Sequence, residues 1–399
     1  MDQTVVTFLA RLATALLAFA GHVAVAVWLL NFAYGHAVPR IWLRRFRKAH
    51  LLWLFTTTFP VLAWAALVLP WPEPVLTPRL PAPLTAALHA YVLACVVIGT
   101  WVVLPITLIR ALRGVPQWQQ SNHTEVVDIE ETLGYRPIGD GPKVRFARLR
   151  WNHQFEVEVI EKEFRLPRVP GALDGLTILH MSDFHFTGCL SREFYEAVLR
   201  QTERWDPDLV CLTGDFVDNP RYYEWIHELF SALRGRYGRF ALLGNHDSWF
   251  DVGRIRQELG KAGFEIPGPQ GRTIQVCGAG LFVASTEWPW LGPLPVAVQR
   301  DECDFALLLA HTPDCIYEVS KRGYDLVLCG HNHGGQVRLP LIGPVYMPSR
   351  YSRRFDMGPF QVGETALYVN KGIAGEHPLR WNARPEVTLI RLRSGNAAS

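Results

Sequence analysis

Five short motifs in this 399-residue chain carry side chains able to hold metal ions. They read Ser182-Asp183-Phe184-His185, Gly214-Asp215-Phe216-Val217-Asp218, Gly244-Asn245-His246-Asp247, a single His311, and Gly330-His331-Asn332-His333. Asp183, His185, Asp215, Asn245, His311, His331 and His333 offer oxygen or imidazole nitrogen and no thiolate. That donor set suits hard or borderline divalent ions: Mn, Fe, Zn, Mg or Co. One carboxylate able to bridge, with three ligands on either side, fits two ions about 3.5–4 Å apart. Such a pair lowers the pKa of a bridging water, which attacks in line, and clamps the phosphoryl oxygens. Phosphoester hydrolysis is the chemistry these residues predict.

Each motif follows an apolar run. Short strands are predicted at Leu176–His180, Asp208–Thr213, Arg239–Leu243, Phe305–Ala310 and Leu326–Cys329. Helical patterns fall between them at Ser191–Trp205, with Ser191 as a possible N-cap, and at Tyr222–Leu233, Val252–Ala262 and Pro313–Arg322. The segment Phe155–Phe164 alternates apolar and polar as a half-buried strand does; Ile274–Val283 reads as a hairpin, and Ala366–Val369 and Val387–Leu392 as further strands. Strands mixed with crossover helices predict an α/β sandwich with a mixed sheet. Ligands of α/β sheets gather at the carboxyl ends of strands, where the five motifs fall.

The motifs in this order resemble the calcineurin-like metallophosphoesterase superfamily, over about residues 160–392. Gly171-Ala172-Leu173-Asp174-Gly175-Leu176, Gly334-Gly335-Gln336, and Gly372-Ile373 followed by Pro378, Arg380 and Pro385-Glu386 are similar to its YkuE/YaeI-type membrane-anchored bacterial branch. The resemblance implies a four-layer α/β sandwich with mixed β-sheets and a metal-dependent phosphoric ester or diester hydrolase. It implies that Asp183, His185 and His333 hold one ion, that Asn245, His311 and His331 hold a second, and that Asp215 bridges them, with manganese favoured. His246 would face the substrate phosphate as donor or acid. Asp247 would orient and charge-stabilise His246, and Asp218 would be a structural turn partner. Arg350, Arg353, Arg354 and Lys371 are candidates for contact with substrate phosphate. Asn332 stands where the family commonly has Thr. The segment 284–292 (ASTEWPWLG) departs from the family's short acidic turn, and Trp288 and Trp290 are expected to shape a substrate edge or meet a bilayer. His22, His123, His153, His180, His227 and His377 read as structural or surface residues.

Composition divides the chain. Charged residues make up 19% of it, against about 25% for a soluble domain. Residues 1–110 hold only ten of them and residues 111–399 the other 67. Disorder, collagen-like fibres and disulfide mini-domains are excluded. Apolar stretches at about 5–34 (interrupted by Arg11 and His22), 51–69 and 84–109 each reach the roughly 20 residues needed to cross a bilayer. The predicted organisation is a three-helix transmembrane region over 1–113, a polar connector over 114–154 and the phosphoesterase domain over 155–394.

Arg40, Arg44, Arg45, Arg47 and Lys48 follow the first stretch and Arg110 and Arg113 the third, whereas the loop between the second and third carries Arg79. The positive-inside rule then expects the C-terminal half in the cytoplasm, and the resemblance to the bacterial branch implies a multi-pass protein of the bacterial inner membrane. Seven scattered Cys without a C-x-x-C pair agree with a reducing compartment. The net charge of +3 gathers in one short basic cluster, so no nucleic-acid partner is expected. The expected partners are the bilayer and a lipid-linked phosphate substrate; a looser similarity to the UDP-2,3-diacylglucosamine pyrophosphatases of lipid A biosynthesis makes their reaction the favourite. The alternatives are a phosphodiesterase for nucleotides or other phospholipids, and an inactive or regulatory membrane sensor with a phosphoesterase-like domain.

Overall fold

The computed structural model describes residues 2–395 apart from 70–75, 77, 78, 341 and 345. Two units divide the chain, Met1–Gly114 and Val115–Ser399.

The first unit contains three helices long and apolar enough to cross a membrane. They are α1 (Gln3–Tyr34), α2 (Arg40–Leu67) and a third made of α3 (Ala82–Ile98), a π turn (Gly99–Val103) and α4 (Leu104–Ala111). Helix α2 starts at Arg40, eleven residues before the apolar stretch that announces it. Charge ends an apolar run without ending a helix, because Arg and Lys are good helix formers. Helices α1 and α3 approach closely: a Cβ on Gly21 would meet the Cys95 carbonyl oxygen at 1.8 Å. His22 is fully buried, with Nδ1 2.7 Å from Tyr91 Oη and Nε2 3.2 Å from Thr57 Oγ1, so it joins all three helical segments.

The second unit holds strands β1 (Gln119–Asp128), β2 (Glu156–Leu166), β3 (Thr177–Met181), β4 (Leu209–Leu212), β5 (Gly238–Ala241), β6 (Arg272–Val276), β7 (Ala279–Thr286), β8 (Phe305–Ala310), β9 (Leu326–Cys329), β10 (Arg338–Leu339), β11 (Gly343–Pro344), β12 (Gly358–Val362), β13 (Thr365–Val369) and β14 (Glu386–Ser394). Interspersed are α5 (Ile129–Leu133), α6 (Val144–Ala147), α7 (Arg192–Arg200), α8 (Trp225–Phe230), α9 (Val252–Lys261) and α10 (Ile316–Val319). Two six-stranded mixed sheets run β1-β2-β14-β3-β4-β5 and β12-β13-β9-β8-β7-β6.

The strands alternate faces as a period of two requires. Ile178, Leu209 and Cys211 point to a buried layer shared with Leu281, Leu307, Leu309 and Leu328 of the other sheet. Their neighbours Leu179, Met181, Val210 and Leu212 point the other way, onto Val198 of α7, Phe230 of α8 and Leu259 of α9. The second sheet's outer face packs on Ile316 and Val319 of α10. Helices, sheet, sheet and helices make four layers, an α/β architecture with mixed sheets.

The stretch 114–154 is not only a connector. It contributes β1, the edge of the first sheet, paired antiparallel with β2. This strand is exposed along almost its whole length, so no buried face imposed alternating apolar residues on QQSNHTEVVD. Helices also run shorter than their patterns. Tyr222–Leu233 contracts to the six residues of α8, and Pro313–Arg322 splits into a 3-10 turn, α10 and a second 3-10 turn. Ser191 precedes α7 without a side-chain cap hydrogen bond.

Candidate metal centre

The strands β3, β4, β5, β8 and β9 end within a few residues of Asp183, Asp215, Asn245, His311 and His331, respectively. The chain turns sharply at each end. Asp183, His185, Asp215, His331 and His333 all have positive φ, between 46° and 69°. Non-glycine residues seldom occupy this region, and such strain gathers at functional sites held by their surroundings. No residue pattern announces it.

The ligand atoms form two groups. In the first, His185 Nε2 lies 3.2 Å from His333 Nε2, and His333 Nε2 lies 3.3 Å from Asp183 Oδ1. In the second, His311 Nε2 lies 3.1 Å from His331 Nδ1 and 3.0 Å from Asn245 Oδ1. Asp215 Oδ2 is common to both, 3.5 Å from His185 Nε2 and 3.3 Å from His311 Nε2. The other ring nitrogens are engaged outside the cluster: His185 Nδ1 with Asp218 Oδ2 at 2.7 Å, His311 Nδ1 with the Thr213 carbonyl at 2.7 Å, His331 Nε2 with the Pro348 carbonyl at 2.7 Å and His333 Nδ1 with the Ala374 carbonyl at 3.0 Å. These partners fix each tautomer so that a lone pair faces inward. Lone pairs and carboxylate oxygens crowded at this spacing repel one another unless cations lie among them, so the donor set fits two divalent ions.

Burial works against charge on Asp183, Asp215 and Asp218, yet the surrounding imidazoles hold all three carboxyls below the usual range. Burial likewise opposes a charged His311, but Asp215 lifts it to about 9. His331 is pushed down to about 4 by burial and the charge of His311.

The structure reassigns two acids. Asp247 does not reach the His246 ring. Its carboxylate accepts the backbone N–H groups of Asp215 (2.8 Å), Phe216 (2.9 Å), Val217 (3.1 Å) and Gly244 (2.9 Å), tying two ligand loops together. Burial and the nearby Asp215 raise it to about 7. Asp218, expected as a turn partner, takes the orienting position, with Oδ1 2.5 Å from His246 Nδ1. Neighbours in sequence diverge at a turn, whereas the Gly-Asp-x-x-Asp spacing brings Asp218 back beside His246. With Nδ1 engaged, Nε2 is the nitrogen that can meet a substrate oxygen. The His246 side chain is 14% exposed.

The predicted phosphate contacts separate. Lys371 is buried, with its ammonium ion-paired with Glu158 and, at 3.2 Å, with Glu386. That removes it from the substrate candidates. Arg353 donates to the Ile342 carbonyl at 3.3 Å, and the Arg354 guanidinium lies over Tyr317 at 5.3 Å. Arg350 lies over the Trp288 ring at 4.6 Å.

Four residues around the site were given no role by sequence reasoning. Trp249 packs its ring 4.3 Å from His246. Lys143, from the supposed connector, pairs at 2.7 Å with Glu376. Burial opposes charge on Glu376, but His246 and Lys143 hold it down at about 2. Arg380 is fully buried and donates to the carbonyls of Lys371 (2.6 Å) and His333 (3.2 Å), bracing the last ligand loop. Only Arg380 had a signal, as one of the residues similar to the bacterial branch.

Strand-end ligands that converge on a shared carboxylate, with a carboxylate-held histidine beside them, define the class of two-metal phosphoesterases. The chain's relatives agree. The model of the calcineurin-like phosphoesterase family matches residues 176–335. The metallophosphoesterase YkuE of Bacillus subtilis (strain 168) is 29% identical over 260 residues, 63% of this chain and 91% of that protein. The phosphodiesterase YaeI of Escherichia coli (strain K12) is 30% identical over 220 residues, 54% of this chain and 81% of its own length. The UDP-2,3-diacylglucosamine pyrophosphatase LpxG of Chlamydia trachomatis serovar D is 25% identical over 311 residues, 62% of this chain and 89% of that protein. The chain belongs to the calcineurin-like phosphoesterase family and is a metal-dependent phosphoester hydrolase.

Proposed function

We propose that this protein hydrolyses a phosphodiester or pyrophosphate bond of a lipid-linked substrate at the cytoplasmic face of a bacterial inner membrane, with UDP-2,3-diacylglucosamine as the favoured substrate and manganese as the favoured ion. The hydrolytic reading rests on one observation above all: Asp215 Oδ2 stands within 3.5 Å of ligand nitrogens from both groups. The lipid reading is supported by three membrane-length helices in the same chain, by the basic residues beside them, and by similarity to LpxG. A membrane anchor raises the effective concentration of membrane-borne substrate.

Bound divalent ions supply a water of lowered pKa and counter-charge for the phosphoryl oxygens. Asp183, His185 and His333 would hold one, Asn245, His311 and His331 the other, and Asp215 both. His246 presents Nε2 to a phosphoryl or leaving oxygen. Burial opposes a proton there, but Asp218 and Asp215 raise its pKa, so the ring is ready to donate. Asp218 holds the ring in that orientation.

The test is UMP release from UDP-2,3-diacylglucosamine by detergent-purified protein with Mn²⁺, beside an Asp215→Ala control and a generic aryl phosphodiester. Metal-dependent UMP release, lost in the control, supports the full reading. Cleavage of the aryl diester alone moves the substrate to other phospholipids or nucleotides. Substantial turnover by Asp215→Ala overturns the assignment of the site.

A further inference from the structure

The loop after β7 places one indole, that of Trp290, beside the second ligand group. The Trp290 ring centroid lies 5.2 Å from that of His331 and 5.9 Å from that of His311. Its position is built. The Glu287 side chain accepts the Leu243 N–H at 3.0 Å, directly before Gly244-Asn245-His246, and the Glu287 carbonyl accepts the Trp290 N–H at 3.0 Å. The loop is thus tied to the segment that delivers Asn245. Trp288, two residues away, carries the Arg350 guanidinium over its ring at 4.6 Å. Arg350 in turn sits on a segment whose Pro348 carbonyl engages His331, and its own N–H donates to Asp314 at 2.9 Å. Trp290 remains half-buried, a large ring kept partly open against metal ligands.

We infer that Trp290 is a stacking wall for a flat ring carried by the substrate, with Arg350 beside it for an anionic group, so that the site selects nucleoside phosphoesters over alkyl phosphoesters. The inference rests on the phosphoester-hydrolase reading and names its substrate class. An indole face stacks on nucleobases with little regard to base identity. A guanidinium braced on an aromatic ring is preorganised to meet phosphate. An aliphatic chain gains contact area from such a wall but no stacking, and this difference is testable.

Full-length protein, detergent-purified and loaded with Mn²⁺, is dialysed to equilibrium against UMP or ribose 5-phosphate, with metal content measured for every variant. Wild type is expected to bind UMP about tenfold more tightly than ribose 5-phosphate, within the range stacking provides. Trp290→Leu, which keeps apolar bulk without a ring, is expected to lose that selectivity, and Trp290→Phe to keep most of it. Arg350→Ala is expected to weaken both ligands alike. Equal affinities in wild type, or equal losses of both ligands in Trp290→Leu at unchanged metal content, overturn the inference. Turnover of the aryl diester is measured in parallel. Absence of turnover with Trp290-dependent UMP selectivity refutes the hydrolase reading and leaves the wall standing. Turnover without selectivity does the reverse.

Discussion

Asp218 and His246 meet at 2.5 Å, Oδ1 to Nδ1, while the second oxygen of Asp218 lies 2.7 Å from Nδ1 of the ligand His185. One carboxylate therefore orients both a candidate metal ligand and the histidine proposed to face substrate. An amide offers one acceptor oxygen, so Asp218→Asn can no longer accept from both imidazoles. Such supporting groups commonly contribute about 10–100-fold in activity or metal affinity, and a loss of that order is expected. Burial opposes the His246 proton and Asp218 is the first charge that restores it, so its removal lowers the His246 pKa. The limb of the kcat/KM profile that requires protonated His246 should move to lower pH. An unshifted profile with full activity would show that Asp218 is only a turn partner.

Lys371 carries the opposite expectation from the one its position in the sequence suggests. It is 7% exposed and neutralises Glu158 and Glu386. Lys371→Ala removes their shared ammonium and leaves Glu386 only the Tyr368 and Thr388 hydroxyls and the nearby Lys162, and breaking a buried pair costs at most on the order of 3–5 kcal/mol. Thermal unfolding should drop clearly, while KM for an aryl diester stays within about twofold in the folded fraction. A large rise in KM at unchanged stability would return Lys371 to the substrate site.

How much was legible follows from where each residue type is forced. The convergence of the seven candidate ligands was legible because metal chemistry admits few residue types and strand ends place them at readable intervals. The buried strands β3, β4, β8 and β9 were legible because burial on both faces demands continuous apolar runs. Strand β1 was not, since an exposed edge imposes no pattern. Asp247 was misassigned because its contacts are backbone N–H groups of Asp215, Phe216 and Val217, which any sequence supplies. Lys371 looked available because its partners are distant in sequence.

His180 gives a pH prediction outside the ligand set. It is fully buried on β3, with Nε2 3.0 Å from Thr213 Oγ1. Burial pulls its pKa from 6.5 to about 4, against the opposing pull of Glu386 and Asp183. The folded value lies below the unfolded one, so His180 takes up its proton on unfolding. Its contribution is fully present above about pH 6.5 and is lost as pH falls towards 4, on the order of 3 kcal/mol in all. His180→Gln keeps a partner for Thr213 and removes the titration. Its denaturant midpoint should fall less steeply than wild type between pH 6.5 and 4, and parallel curves would refute the buried neutral imidazole.

Gly330 tests the site without altering a ligand. A Cβ there would lie 1.9 Å from Ser182 Oγ and 2.2 Å from Asp183 Oδ2. Ser182 can turn aside, but Asp183 cannot do so freely. Its Oδ2 accepts the His331 N–H at 2.9 Å, and its Oδ1 faces His333 Nε2 at 3.3 Å. Gly330→Ala therefore displaces the carboxylate of the first ligand group, while the core around β9 is untouched. Gly260, on α9, has open space where a Cβ would go, so Gly260→Ala controls for the chemistry of the change. Metal analysis after dialysis should find Gly330→Ala short of one ion relative to wild type and to Gly260→Ala, with turnover down by roughly 100-fold or more, the upper end of what loss of ligand support costs. Near-UV circular dichroism should remain native. Full metal content and turnover in Gly330→Ala would mean that Asp183 is not held where the ligand role requires it.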